Sequence, residues 1–179
     1  IHYRSANESL IERVAERPIN TVAGPMRMLA YRDKPSGTPH LALVCGQIDG
    51  NREALVRVHE PLSIVDLLDV DRTTHSWPIH RSLKAIAEHG HGVLVMLNCA
   101  PHAQELFESI GELMQMDAQQ DVRSSRVKRN ASTDLRTYGI GAQILKDLQV
   151  RKMRLLSQPR KMPSMTGYDL EIVGFEPGL

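Results

Sequence analysis

A handful of side chains in this 179-residue chain could do chemistry, and their spacing sets what that chemistry would be. His75 and His80 stand five apart, and His89 and His91 two apart. Three imidazoles from His59, His75 and His80 would make a donor set that zinc accepts. The plainer reading is that the fold satisfies each histidine, and no metal site is expected. Cys45 and Cys99 each end an apolar run, lie 54 positions apart and form no Cys-x-x-Cys pair. They read as buried free thiols in a reducing cytosol. Asp134 and Arg136 place a carboxylate and a guanidinium two residues apart. In structural terms, Asp134 would cap a helix that includes Gly139, and Arg136 would pair with Asp134 or Asp147. Gly139 and Gly141 would let that helix pack closely on a strand. Trp77, beside Pro78, reads as a packing anchor rather than a base-stacking platform.

The elements that must position these residues follow from periodicity. Asn7 to Arg17 has Leu10, Ile11 and Val14 at helical spacing, and Pro18 ends the pattern, which predicts a short helix. Strand-like runs follow at Met26–Tyr31, His40–Ile48 and Ala54–His59, separated by turn clusters, as in an antiparallel meander. Pro78 to His89 carries an Ile79, Leu83, Ile86, Ala87 stripe, and Gly90 stands where a left-handed C-cap belongs. Gly92 to Leu97 is continuously apolar, as in a strand covered on both faces. Gln104 to Gln115 predicts a helix with Leu106, Phe107, Ile110, Leu113 and Met114 inward. Asp117 to Ser132 is polar and aperiodic, which predicts a loop. A helix over Gly139–Gln149, strands at Arg154–Leu156 and Leu170–Phe175, and a loose tail at Pro177–Leu179 complete the chain. The fold class is α/β (α+β), a mixed β-sheet flanked by helices.

Composition narrows the function. The chain is 41% hydrophobic and 24% charged, with net charge +1 from 22 basic and 21 acidic residues. That balance lacks the basic excess of a nucleic-acid binder, so no nucleic acid is expected as partner. The basic cluster Arg123–Arg129 reads as a solvated face. The longest apolar run is too short to span a bilayer, so no membrane association is expected.

Several ordered landmarks carry a family resemblance. The runs His40-Leu41-Ala42-Leu43-Val44-Cys45-Gly46 and Val56-Arg57-Val58-His59, the segment Leu83 to Leu94, and Arg154 to Lys161 are similar to elements of GTP cyclohydrolase II. The strongest match is Thr133-Asp134-Leu135-Arg136-Thr137-Tyr138-Gly139-Ile140-Gly141-Ala142-Gln143-Ile144-Leu145, which resembles the signature segment of that zinc enzyme of riboflavin biosynthesis. The resemblance runs from about Val14 to Pro177. It implies a GTP cyclohydrolase II-like fold. It also implies an aspartate proton relay at Asp134, an arginine nucleophile toward the α-phosphate at Arg136, and nucleotide contacts at Arg57, His59, Ser157 and Lys161.

The departures are as specific as the matches. The family's three zinc cysteines fall, by counting, on Leu62, Thr73 and His75. Leucine has no lone pair and neutral threonine is a poor ligand, so the zinc is expected to be lost and no cofactor is expected. The family's Arg-Gln-Glu-Gly-Arg phosphate and magnesium loop is replaced by Asn98-Cys99-Ala100-Pro101-His102-Ala103-Gln104. No arginine there can grip phosphate and no carboxylate can help hold Mg²⁺. An active-site tyrosine of the family becomes Leu113.

The resemblance therefore implies a catalytically degenerate domain with a structural, dimerisation or regulatory role. The alternative is an active GTP cyclohydrolase II or a diverged nucleotide hydrolase using Asp134 and Arg136, with a nucleotide or small phosphate as ligand. Whether the domain is an enzyme is open at this point. The opening residues resemble the join in fused riboflavin proteins. That implies residues 1–17 as a linker helix from an upstream 3,4-dihydroxy-2-butanone 4-phosphate synthase domain, a lyase acting on ribulose 5-phosphate, and residues 18–177 as the cyclohydrolase II-like domain. A cytoplasmic homodimer is expected.

Overall fold

The computed structural model describes residues 9–60, 65–68, 76–99, 107, 110–111, 114–115 and 131–178, with backbone alone at 65–66 and 131–136. Among these residues, seven strands form one sheet: β1 (Ile11–Thr21), β2 (Gly24–Asp33), β3 (Pro39–Cys45), β4 (Glu53–His59), β5 (Gly92–Met96), β6 (Lys152–Leu156) and β7 (Glu171–Glu176). Their order is β1-β2-β3-β5-β4-β6-β7. Pairing is antiparallel from β1 through β5 and parallel from β5 through β7. The helical elements are a single turn α1 (Val65–Leu68), α2 (Ile79–His89), α3 (Ala131–Asp147) and a 3₁₀ turn at Thr166–Tyr168.

The sheet is mixed and covered on both faces, the α/β arrangement of a mixed sheet flanked by helices that the sequence implied. On one face α2 brings Ile79, Leu83 and Ile86 against Leu43, Leu55 and Leu94. On the other, α3 brings Ile140, Ile144 and Leu145 against Leu29, Val56 and Val95. β5, between the two layers, has Gly92 through Val95 all buried, which is why its sequence is continuously apolar. Gly90 ends α2 at φ 75, and its N–H donates to the Ile86 and Ala87 carbonyls. A side chain there would be strained, so glycine is the residue suited to this cap.

Four expectations are corrected. The helix expected over Asn7–Arg17 is strand from Ile11 onward, because Ile11 to Thr21 finds an antiparallel partner in β2, with one bulge between Arg13 and Ala15. Pro18 lies inside β1, which is tolerable because β1 is an edge strand. The meander stops at β3, because β5 separates β3 from β4. α3 begins at Ala131, well before Gly139, so it takes in the end of the segment read as a loop. Of the tail expected to be loose, Pro177–Leu179, Gly178 is held, its carbonyl accepting from Gln158 Nε2 at 3.0 Å, and Leu179 lies outside the described residues.

Of the helix expected over Gln104–Gln115, residues 107, 110–111 and 114–115 are helical, with Phe107 and Met114 exposed rather than inward. Arg123–Arg129, like Leu62, Thr73, His75 and Leu113, lie outside the described residues. No helix among the described residues is long and apolar enough to cross a membrane.

Candidate ligand site at the strand ends

β4 and β6 run parallel, so their carboxyl ends lie side by side, the usual place for a ligand in an open α/β sheet. Arg57 and His59 are two residues apart on β4 and therefore share one face of the sheet. Ser157 follows β6 directly. All three are at least nine-tenths buried, with exposures of 7%, 1% and 8%. The Arg57 guanidinium reaches across to β6, donating from Nη1 to the Leu156 carbonyl at 2.9 Å, while Nη2 lies 3.5 Å from His59 Nδ1. Ser157 Oγ donates to the Gln158 carbonyl at 3.0 Å. A burial this deep is tolerable for a guanidinium only because carbonyl and imidazole partners surround it.

Beside these residues lies a cavity of about 30 Å³, lined by Arg57, Val58, Tyr138, Gly141, Ser157, Arg160, Met162 and Met165 among others. That is room for about one water. A pocket for a drug-sized ligand is on the order of 300–1,000 Å³. The structure thus brings Arg57, His59 and Ser157 together but leaves Lys161 exposed and away from the cavity lining. In its place Arg160, which sequence reading missed, stacks over the Tyr138 ring at 5.4 Å. Its place in the same Ser157–Lys161 run, two residues nearer to β6 than the methionine at 162, was the available signal.

Asp134 and Arg136 both lie on α3; their side chains are outside the described residues. Asp134 is the fourth residue of the helix, so it stands within the first turns and is not an N-cap ahead of them. Asp147, offered as a partner for Arg136, is occupied elsewhere. Its Oδ2 accepts from Arg13 Nη2 and from Tyr31 Oη, each at 2.7 Å. Burial, and then the Asp147 carboxylate, push the Tyr31 phenol well above its ordinary value. The Asp147 hydrogen bond likewise raises Arg13. Gly141 does not mark a forced close approach, since a Cβ there would meet Val58 Cγ1 at an ordinary 3.5 Å.

Where the replaced phosphate loop begins, the chain is tied to its neighbours. Asn98 adopts φ 55, its N–H donates to His40 Nδ1 at 3.0 Å, and its Nδ2 donates to Glu60 Oε1 at 2.5 Å. Because His40 Nδ1 accepts, the ring proton belongs on Nε2. Cys99 donates its N–H to the Pro39 carbonyl and its thiol to the Met96 carbonyl. Cys45 and Cys99 are free and half-buried rather than fully buried. Burial pushes the Cys99 thiol up, against the thiolate that a metal or an electrophile needs.

The histidines are similarly engaged. His91 accepts the Asp49 N–H at Nε2 and, with Nδ1 protonated, donates to the Glu53 carbonyl. His80 Nε2 donates to the Leu67 carbonyl at 2.8 Å. Among the described residues, no group of three or more His, Cys, Asp or Glu side chains could hold a metal.

The seven-stranded mixed sheet packed by α2 and α3 is consistent with an α/β GTP cyclohydrolase II-like fold. The family profile of GTP cyclohydrolase II matches residues 12–177, and the chain belongs to this family. It is 38% identical over 176 residues to a Neisseria meningitidis serogroup A protein named 3,4-dihydroxy-2-butanone 4-phosphate synthase, covering 98% of this chain and 45% of that one. It is 34% identical over 174 residues to the Bacillus cereus riboflavin biosynthesis protein RibBA, covering 97% and 44%. Among solved structures it is similar to RibBX of A. baumannii, a two-domain 3,4-dihydroxy-2-butanone 4-phosphate synthase. The TM-score is 0.63 at 29% identity, over 98% of this chain and 42% of that one. The chain spans under half the length of these relatives.

Proposed function

We propose that this domain is a catalytically degenerate GTP cyclohydrolase II that serves a 3,4-dihydroxy-2-butanone 4-phosphate synthase in riboflavin biosynthesis. Its role is structural or regulatory: it stabilises a linked synthase domain, helps it dimerise, or tunes it. The observation that carries the reading is the site at the β4 and β6 ends. Arg57, a place that the resemblance gives to nucleotide contact, is buried and donates to a β6 carbonyl, that of Leu156, instead. The donor set of the zinc places, Leu62, Thr73 and His75, supports it independently. Relatives named as the synthase, and a two-domain relative, support the upstream partner. Location in the cytoplasm follows from the same pathway.

Zinc quantification with a formate-release assay on GTP tests the reading. Neither bound zinc nor formate is expected, and stoichiometric zinc with formate would overturn it. A second reading is a diverged nucleotide hydrolase, favoured by Asp134 and Arg136 both riding on α3, the helix that lines the cavity. It requires nucleotide turnover that is lost in Arg136→Ala.

A further inference from the structure

We propose that Trp77 and the segment Glu176–Gly178 form a latch coupling the entry of α2 to the exit of β7, so that the two open together. Trp77 is 5% exposed in the α2-side core, and its indole N–H donates to the Glu176 carbonyl at 2.7 Å. The Arg81 guanidinium covers its ring at 4.4 Å. A Cβ on Gly178 would run into the Ser76 backbone carbonyl, so the strand exit passes against the chain entering α2 at a distance only glycine permits. Gln158 Nε2 donates to the same glycine's carbonyl at 3.0 Å.

β7 is half-buried at most, and at the start of α2 the packing of Ile79 is the hold to which the latch adds. α2 starts at Pro78 with no side-chain cap. β7 is an edge strand, hydrogen-bonded to β6 on one side only. An edge strand and an uncapped helix start both open at low local cost, and a shared tether makes their openings one event. None of this depends on whether the domain binds a nucleotide.

The chain's one tryptophan is the latch residue itself, so its fluorescence reports directly. In the full chain, Gly178→Ala should shift Trp77 emission to the red and raise acrylamide quenching. Amide exchange should accelerate about tenfold at β7 and at the first turn of α2 together, with β2 and β3 unchanged. Gln158→Ala, a milder change at an exposed side chain, should give the same paired pattern at smaller amplitude. Acceleration in one segment without the other, uniform acceleration including β2 and β3, or unchanged emission in both variants would overturn the latch.

Discussion

Replacing Tyr31 by phenylalanine tests how α3 is fixed to the sheet. The phenol is 1% exposed on β2, and its hydroxyl donates to Asp147 Oδ2, in the last turn of α3, at 2.7 Å. A hydrogen bond to a charged acceptor contributes about 1.5–3 kcal/mol. Here the same carboxylate keeps Arg13 Nη2 at 2.7 Å and is 41% exposed, so it is not orphaned by the change. The lower part of that range applies, about 1.5–2 kcal/mol, which for a chain of this size lowers Tm by about 3–8 °C.

The same contact has a pH signature. The folded phenol is raised above its ordinary 10.0, so between that value and the folded one the native state holds a proton that the unfolded chain has lost. Stability from this group is fully present below pH 10.0 and drains away as pH rises through the folded value. Urea denaturation of both proteins at pH 7.5 and at steps from pH 9 to 11.5 measures both effects. The wild type should lose more stability than Tyr31→Phe over the alkaline steps. The reasoning fails if the variant lies within about 0.5 kcal/mol of wild type at pH 7.5, or if the two alkaline slopes coincide.

Gly141→Ala should stabilise by about 0.5–1 kcal/mol in chemical denaturation, because a mid-helix glycine with space for a methyl gains helix propensity. Asn98→Gly should be more stable than Asn98→Ala by about 1 kcal/mol, since both lose the Glu60 contact but only alanine pays for φ 55. Arg57→Met should cost about 1.5–3 kcal/mol by leaving the Leu156 carbonyl without its charged donor, and calorimetry with GTP should show no binding in either protein.

Much of the fold could be read from local pattern because several elements are specified locally. The α2 stripe and Gly90 gave that helix almost residue for residue, and the unbroken apolar run gave β5. β1 misled because Leu10, Ile11 and Val14 have helical spacing and the run is rich in Glu and Arg. Its strand state comes from β2, a partner that no local window contains. The placement of β5 between β3 and β4 is invisible for the same reason. At the site, Arg57, His59 and Ser157 were singled out through motif resemblance; Arg57 lies beside His59 and lines one cavity with Ser157. Lys161 did not join them, because motif spacing says nothing of which side chain a loop turns inward. Trp77 was legible as an anchor, but its partner was not, since a backbone carbonyl leaves no mark in sequence.

β3 and β4 are joined by a short connection, yet they never bond to each other; the slot between them is filled by a strand that begins at Gly92. During synthesis the first four strands therefore emerge with two raw edges held open for a wedge still being made. β6 must then find β4 across a separation such as Glu53 to Lys152. Pairings this remote make for slow acquisition of structure and a long window for mispairing. A chain built in this order gains from any folded neighbour that shelters those edges while the wedge arrives.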